Sequence, residues 1–279
     1  MEAIQNIFRI LGTRWDRPTL FGTFHIACII ASFVVGIVLC LLWKHGVIKS
    51  VKRVVLVTAI IVIVFEIYKQ IMCGISYEYG LSYNYDWQTF PWQFCSTPMY
   101  IGLLAGISRG KIHDHFCAYL ATFALFAGTA VMIYPATVFT SMIGICIQTM
   151  VCHGSMIAIA IFLYYTGHVK TEWKTLFKAI PVFAVTVTIA VILNTVMHGS
   201  GILPEGTHFS MFYVCPECRP ELPIYSMVQE ALMGYSWGYP VCLAIYILGF
   251  SLVAALMLLI AMGIKKVYRI LHIKLHKEV

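Results

Sequence analysis

The chain has 279 residues, of which 60% are hydrophobic and only 11% are charged. Soluble domains average about 45 to 50% apolar and about 25% charged residues, so this composition excludes a soluble fold. Ten cysteines are too few for a disulfide scaffold. The formal net charge of +7 is typical of the basic loops beside membrane spans, and no nucleic-acid partner is expected.

The chain begins with an amphipathic segment, residues 1–20. Four apolar residues between positions 4 and 11 recur with the spacing of one helix face, and Gly12 follows them. Residues 2–11 are therefore predicted to form a short helix on the outer membrane surface, or else a frayed terminus. The first span that follows is longer than the apolar core of a cleavable signal, so we expect it to be retained.

Seven apolar segments are long enough to cross a bilayer, which requires about 20 residues per helix. They cover residues 21–43, 54–72, 91–108, 116–133, 140–165, 179–197 and 239–263. The sequence predicts an all-α polytopic membrane protein, a bundle of seven transmembrane helices within one membrane domain, residues 1–279.

Basic residues alternate between rich and poor connections along the chain. Placing the rich connections in the cytoplasm gives 14 Lys and Arg inside and 4 outside. The positive-inside rule therefore predicts an external N-terminus and a cytoplasmic C-terminus with the basic tail 264–279.

Several polar residues of the predicted spans share one depth in the membrane. At about 1.5 Å of rise per residue, they lie roughly 18 to 23 Å from the cytoplasmic helix ends. They are Glu66, Lys69, Gln93, Cys95, His153 and Asn194. Gln148 and His25 lie one to three turns further out, which predicts a polar chamber that opens toward the outer leaflet.

The pairing of a cysteine with a histidine in this layer predicts nucleophilic catalysis. A thiol becomes a nucleophile when an imidazole takes its proton, so Cys95 and His153 are the candidate pair. Glu66 is expected to orient the imidazole, and Gln93 or Asn194 to donate hydrogen bonds to an oxyanion. An acyl ester from the bilayer would give an acyl-cysteine, which a second lipid hydroxyl collects, or water in a hydrolase.

Simpler interpretations stay open for each residue. A buried cysteine usually packs as a small hydrophobe, and a histidine can bridge helices by hydrogen bonds. Lys69 is expected mainly to neutralise Glu66 on the same helix face. Pro91 is predicted to begin the third helix, which would place Cys95 near a helix N-terminus, where the dipole favours a thiolate. The nearby aromatic residues Tyr83, Tyr85, Trp87 and Trp92 are expected to form an interfacial belt.

Two stretches carry a family resemblance: FPWQFCSTPMYIGLLAG at 90–106 and TMVCHGSMIAIAIFLYYTG at 149–167. They resemble the YwaF-type integral membrane family, which is similar to animal transmembrane protein 164. The resemblance extends to FGTFH, which ends at His25, and to the region of Asn194, so it covers most of the predicted bundle.

The resemblance implies an acyltransferase that moves fatty acyl chains between phospholipids to make ether phospholipids. The family cysteine corresponds to Cys95 and the family histidine to His153. A phospholipid donor and a lysophospholipid acceptor are the implied partners, and no cofactor is implied. Animal members have a histidine where this chain has Ser96, and bacterial members often have one near Gln93. The short loops are typical of bacterial members, which implies a location in the cytoplasmic membrane.

The long external connection, residues 198–238, contains a second group of reactive side chains. They are His198, His208, Cys215 and Cys218. The Cys-x-x-Cys pair is compatible with a disulfide, with a zinc site or with free thiols. Residues 224–233 are predicted to form a short helix on the outer face.

Two other classes of function are compatible with the same residues. In an ion-coupled transporter, Glu66, Lys69 and His153 would form a relay within the membrane. A seven-helix sensor is supported only by the number of spans and the external N-terminus.

Overall fold

The computed structural model describes residues 2–77, 80–135, 138–218 and 222–275, and these are largely helical. The helices in these ranges are α1 (Glu2–Leu11), α2 (Thr23–Lys44), α3 (Val51–Gly74), α4 (Thr97–Ile107), α5 (Gly110–Ala121), α6 (Phe123–Ile133), α7 (Ile143–Tyr165), α8 (Trp173–Gly199), α9 (Pro223–Leu232) and α10 (Gly238–Leu275). A two-residue ladder pairs β1 (Ile75–Ser76) antiparallel to β2 (Ser82–Tyr83), with Ile75 opposite Tyr83. Short 3-10 turns cover Trp87–Thr89 and Met211–Tyr213.

Six helical stretches of the described chain are long and apolar enough to cross a membrane. They are α2, α3, α7, α8, α10 and the interrupted pair of α5 and α6, which counts as one stretch, Gly110–Ile133. The chain is therefore an integral, multi-pass membrane protein, as predicted. The seventh predicted span is not confirmed, because α4 has 11 residues and covers only about 16 Å of a hydrocarbon core about 30 Å thick.

The predicted start of the third helix at Pro91 is wrong, and Pro98 explains why. A proline inside a helix lacks an N–H and its ring clashes with the carbonyl four residues earlier. Pro98 is tolerated only in the first turn, so the helix begins at Thr97. Residues 91–96 are not helical and pack against other parts of the protein.

The N-terminal segment is a helix with the predicted bounds, α1, and its end is held by the bundle. Tyr68 Oη donates to the Leu11 carbonyl at 2.7 Å. The Trp15 N–H donates to the Ser141 carbonyl at 2.8 Å. These bonds fix the N-terminal segment where α3 ends and α7 begins, so the alternative of a frayed terminus is wrong.

α7 lies at the centre of the bundle. Sixteen of its 23 residues are buried, against four of 22 in α2. α6 approaches it closely at Gly128, where an added Cβ would lie 2.6 Å from the His153 carbonyl oxygen. The backbone that carries His153 is therefore packed from several sides.

Aromatic rings join the long connection between α8 and α10 to the bundle. Phe94 contacts the rings of Phe183, Phe212 and Phe250 at centroid distances of 5.4, 5.8 and 5.1 Å. In the same connection α9 confirms the predicted short helix to within one residue.

Candidate functional site

A buried carboxylate, Glu66 on α3, lies at the centre of a polar network. Its Oε1 is 2.7 Å from Lys69 Nζ and accepts from Gln70 Nε2 at 2.7 Å. Its Oε2 accepts from Gln148 Nε2 of α7 at 3.2 Å. Both oxygens therefore have donors, which offsets the cost of burying the charge and fixes α3 against α7.

The network continues through Gln70 to the segment before α4. Gln70 Nε2 also donates to the Thr89 carbonyl at 2.6 Å, and its Oε1 accepts from Tyr85 Oη at 2.7 Å. Burial raises the pKa of Tyr85 to about 12, so its hydroxyl keeps the proton that it donates. Sequence reasoning missed Gln70, although it is one turn from Glu66 on the same helix face.

Three of the four residues of the predicted aromatic belt also contact protein, and the belt itself stays a prediction. Tyr85 belongs to the network, and Trp87 contacts its ring at 4.9 Å. Trp92 stacks on Tyr100 at 5.1 Å and donates its indole N–H to a backbone carbonyl of α8. Only Tyr83 has a largely exposed ring.

Cys95 lies in the irregular segment directly before α4 and is only partly buried. The charges of Lys69 and Glu66 both act on its thiol, and their effects oppose each other. Lys69 pairs with Glu66 at 2.7 Å, as the sequence predicted.

His153 on α7 is held in one tautomer by the backbone of its own helix. Its Nδ1 is 2.7 Å from the Thr149 carbonyl oxygen, which can only accept, so Nδ1 carries the proton. Nε2 therefore carries the lone pair, and this buried atom has no hydrogen-bonding partner among the described residues. The expectation that Glu66 orients the imidazole is wrong, because the Thr149 carbonyl holds the ring and Glu66 has other donors.

No hydrogen bond joins the two candidate catalytic residues in this structure, because His153 Nε2 has no partner in the described chain. The structure thus leaves His153 as a buried base with an uncommitted lone pair.

Gln93 and Asn194 clamp the long connection between α8 and α10. Gln93 Nε2 donates to the Ser210 carbonyl at 2.9 Å, and its Oε1 accepts from the Phe212 N–H at 2.9 Å. Asn194 Nδ2 donates to the Met211 carbonyl at 3.1 Å, and its Oδ1 accepts from the same residue's N–H at 2.8 Å. Each amide NH₂ has a second N–H, so the oxyanion role stays a prediction.

We expect Asn194→Ala to loosen this clamp. Met211 is fully buried, and its backbone N–H would lose its partner while its carbonyl would keep only the Val214 N–H, at a cost of about 1 to 3 kcal/mol in unfolding free energy. Limited proteolysis of the purified protein should then cut residues 200–215 faster. Thr195→Ala, which removes an exposed hydroxyl that bonds within α8, is the control. Equal cleavage of the two variants would contradict the clamp.

His25 and Gln148, predicted to lie further out, have different roles. His25 is fully buried, donates through Nε2 to the Met132 carbonyl at 2.8 Å and accepts from the Phe21 N–H at 2.9 Å. It therefore ties the start of α2 to the end of α6. Gln148 belongs to the Glu66 network.

The thiols of Cys215 and Cys218 are free in this structure, not joined in a disulfide. Their sulfur atoms and His198 Nε2 lie within 4.8 Å of one another. Burial raises the pKa of the Cys215 thiol, which donates to Glu217 Oε2 at 3.1 Å. His208, the fourth residue of the suggested zinc set, is outside this cluster.

Two hollows are described in the bundle, and neither Cys95 nor His153 is among their lining residues. A cavity of about 30 Å³ is bounded by Cys152, Met99 and Ser155, and it has room for one water-sized molecule. An apolar groove of about 310 Å³ runs between α9 and α10. Its walls include Phe126 and Phe250, whose rings both contact Phe94, the residue before Cys95.

A profile of the TMEM164 family matches residues 20–262 of the chain. This match confirms the similarity to transmembrane protein 164 that the sequence predicted, and the YwaF-type name stays a prediction. No curated protein and no solved structure shows significant similarity to the chain.

Proposed function

The chain belongs to the TMEM164 family, and from this premise we propose that it is an intramembrane acyltransferase that moves a fatty acyl group between phospholipids through an acyl-cysteine on Cys95. The observation that carries the proposal is the unpartnered lone pair of His153 Nε2. A buried base without a partner is costly as a structural element, and such sites are expected where a reactant binds.

The first half of the reaction forms the thioester. His153 Nε2 takes the proton of the Cys95 thiol, and the thiolate attacks the ester carbonyl of a donor phospholipid. The C–O bond breaks, and the leaving alkoxide takes the proton back from Nε2, which releases a lysolipid. The missing thiol–imidazole hydrogen bond is compatible with this step, because such contacts often tighten only when substrate binds.

The second half transfers the acyl group to a lysophospholipid. Nε2 removes the proton of the acceptor hydroxyl, whose oxygen attacks the thioester carbonyl, and the C–S bond breaks. The Cys95 thiolate then recovers the proton from the imidazolium. Ether lysophospholipids are one class of acceptor, and the ether linkage itself does not react.

Lys69 is proposed to stabilise the negative charge of both halves. A thiolate or tetrahedral oxyanion beside a fixed cation is favoured where water is scarce. The Glu66 carboxylate keeps Lys69 in place and leaves the pair neutral in the resting enzyme.

The apolar groove between α9 and α10 is proposed to hold an acyl chain. Its volume of about 310 Å³ lies within the range of ligand pockets in proteins. Phe94, the residue before Cys95, contacts Phe250 in the wall of the groove.

Seven crossings are proposed, of which the third is broken. Residues 85–90 pack at the end of the bundle that holds the external connection, since Trp87 and Phe90 contact Phe209. α5 begins at the other end, near the start of α8, where Asp114 pairs with Lys178. The irregular residues 91–96 and α4 together make this crossing, and irregular backbone is tolerated there because protein covers it. The positive-inside rule then places the N-terminus outside.

The test is reconstitution of the purified protein in vesicles with an isotopically labelled phospholipid donor and an ether lysophospholipid acceptor. We expect labelled diacyl product by mass spectrometry, and an acyl mass on the peptide containing Cys95 that hydroxylamine removes. Free labelled fatty acid without acylated acceptor would indicate a hydrolase. The absence of both products and of the adduct would contradict the proposal, and ion flux through the same vesicles would then favour a transporter.

A further inference from the structure

A second cluster of side chains lies at the other end of the bundle, where α5 begins and α7 ends. His113 and Cys117 are one turn apart on α5, and both are buried, whereas His168 lies on the exposed connection after α7. Each residue offers one ligand atom, and these three atoms lie within 4.8 Å of one another. Neither histidine belongs to the proposed acyl-transfer site.

The ring of His113 is oriented in the way that metal-binding histidines usually are. Its Nδ1 is 2.7 Å from the Ala105 carbonyl, which only accepts, so Nδ1 carries the proton and Nε2 presents the lone pair. Histidine ligands of metals almost always donate their other N–H to such an acceptor. A backbone carbonyl of α4 thus aims the lone pair at the cluster.

The three ligand atoms lie close together. His168 Nε2 is 2.6 Å from His113 Nε2, and Cys117 Sγ is 3.6 Å from the same nitrogen. Cys117 Sγ is also 3.9 Å from His113 Nδ1, so it lies beside the ring and not along the Nε2 lone pair. In a tetrahedral zinc site two nitrogens lie about 3.3 Å apart, so metal binding requires the exposed His168 ring to shift by about 1 Å and the Cys117 side chain to change its rotamer.

The cluster can be reached from solvent. An opening of about 220 Å³, lined by His168, Asp114 and Glu172, gives a hydrated cation a path to the cluster. Cys117 is the cluster's one sulfur, so no disulfide within the cluster competes with metal binding.

From this geometry we propose that His113, Cys117 and His168 bind a zinc ion that joins the start of α5 to the end of α7, with solvent as the fourth ligand. Two imidazoles and one thiolate form a donor set that zinc prefers. The ion would fix α5, which also carries Tyr119, whose hydroxyl is 2.7 Å from the Thr97 hydroxyl at the start of α4. The site is thus expected to stabilise the arrangement of helices around Cys95.

The test is metal binding to the full chain in detergent after removal of bound metals with a chelator. We expect a cobalt titration to give a thiolate-to-cobalt charge-transfer band that added zinc abolishes. Cys117→Ser should bind one metal ion fewer per chain and should lose the part of the charge-transfer band that comes from this site. His168→Ala should weaken metal binding at this site at least about 100-fold. Zinc should raise the unfolding temperature of the wild type more than that of His168→Ala.

The matched control is His115→Ala, which removes an imidazole of the same helix whose Nδ1 bonds the Lys111 carbonyl outside the cluster. It should bind metal like the wild type. Cys218→Ser reports any separate contribution of the external thiols. Unchanged stoichiometry in Cys117→Ser, or equal affinity in His168→Ala, would overturn the site. No readout depends on acyl transfer, so this result stands apart from the proposed activity.

Discussion

Cys95→Ser should abolish acyl transfer, with a loss of at least about 10³-fold in rate, while the protein stays folded. A serine hydroxyl is far less acidic than a thiol, so His153 and Lys69 would no longer produce a competent anion. The side chain loses little volume, and Cys95 is only partly buried, so stability should change little. The measurements are product formation in vesicles and the acyl mass on residues 90–100, both of which should disappear.

Cys73→Ser is the matched control for this experiment. Cys73 is also partly buried, lies on α3, and its thiol interacts with the same Lys69 and Glu66 charges. A general effect of removing a thiol near this network would therefore appear in both variants. Full activity in Cys95→Ser, or equal loss in Cys73→Ser, would show that Cys95 is not the nucleophile.

Hydrophobic run length predicted most of the helices but not the break before α4. A long apolar run predicts a helix that spans the lipid, and this holds for α2, α3, α7, α8 and α10. Residues 91–108 are equally apolar, yet Pro98 limits where the helix can begin, and the preceding residues find their partners in distant segments. The same signal also placed the start of the fourth helix at 116, six residues after the observed start of α5 at Gly110.

Depth along the membrane normal does not predict which polar residues meet. Glu66 pairs with Lys69 on α3 and accepts a hydrogen bond from Gln148 because α3 packs against α7. Gln93 and Asn194 lie at a similar predicted depth but bond the connection between α8 and α10. Depth is a single coordinate, whereas contacts also depend on helix rotation and order, which a single sequence does not reveal.

The wrong start predicted for α5 also concealed the cluster of His113, Cys117 and His168. With the helix predicted from residue 116, His113 falls in a loop, and its spacing of four from Cys117 carries no meaning. With α5 beginning at Gly110 the two residues lie on one helix face. His168 is brought to them only by the packing of α5 against α7.

His153→Gln should lower acyl transfer by about 10² to 10⁴-fold, the usual contribution of a general base. The glutamine amide can still donate to the Thr149 carbonyl, but it offers no basic lone pair toward the reactants. Alkylation of Cys95 by a maleimide near neutral pH should slow as well, because less thiolate forms. The two readouts together separate loss of the base from loss of the lipid site.

Thr149→Val is the control for the support of His153. It removes the hydroxyl that contacts Gln148 Oε1 at 3.4 Å and leaves the backbone carbonyl that holds the imidazole. We expect it to keep both activity and thiol reactivity. Because Cys95 and His153 act as one unit, the double variant Cys95→Ser, His153→Gln should be no slower than Cys95→Ser alone. Additive losses would mean that the two residues act in separate steps, and the shared mechanism would then fail even if each residue were essential.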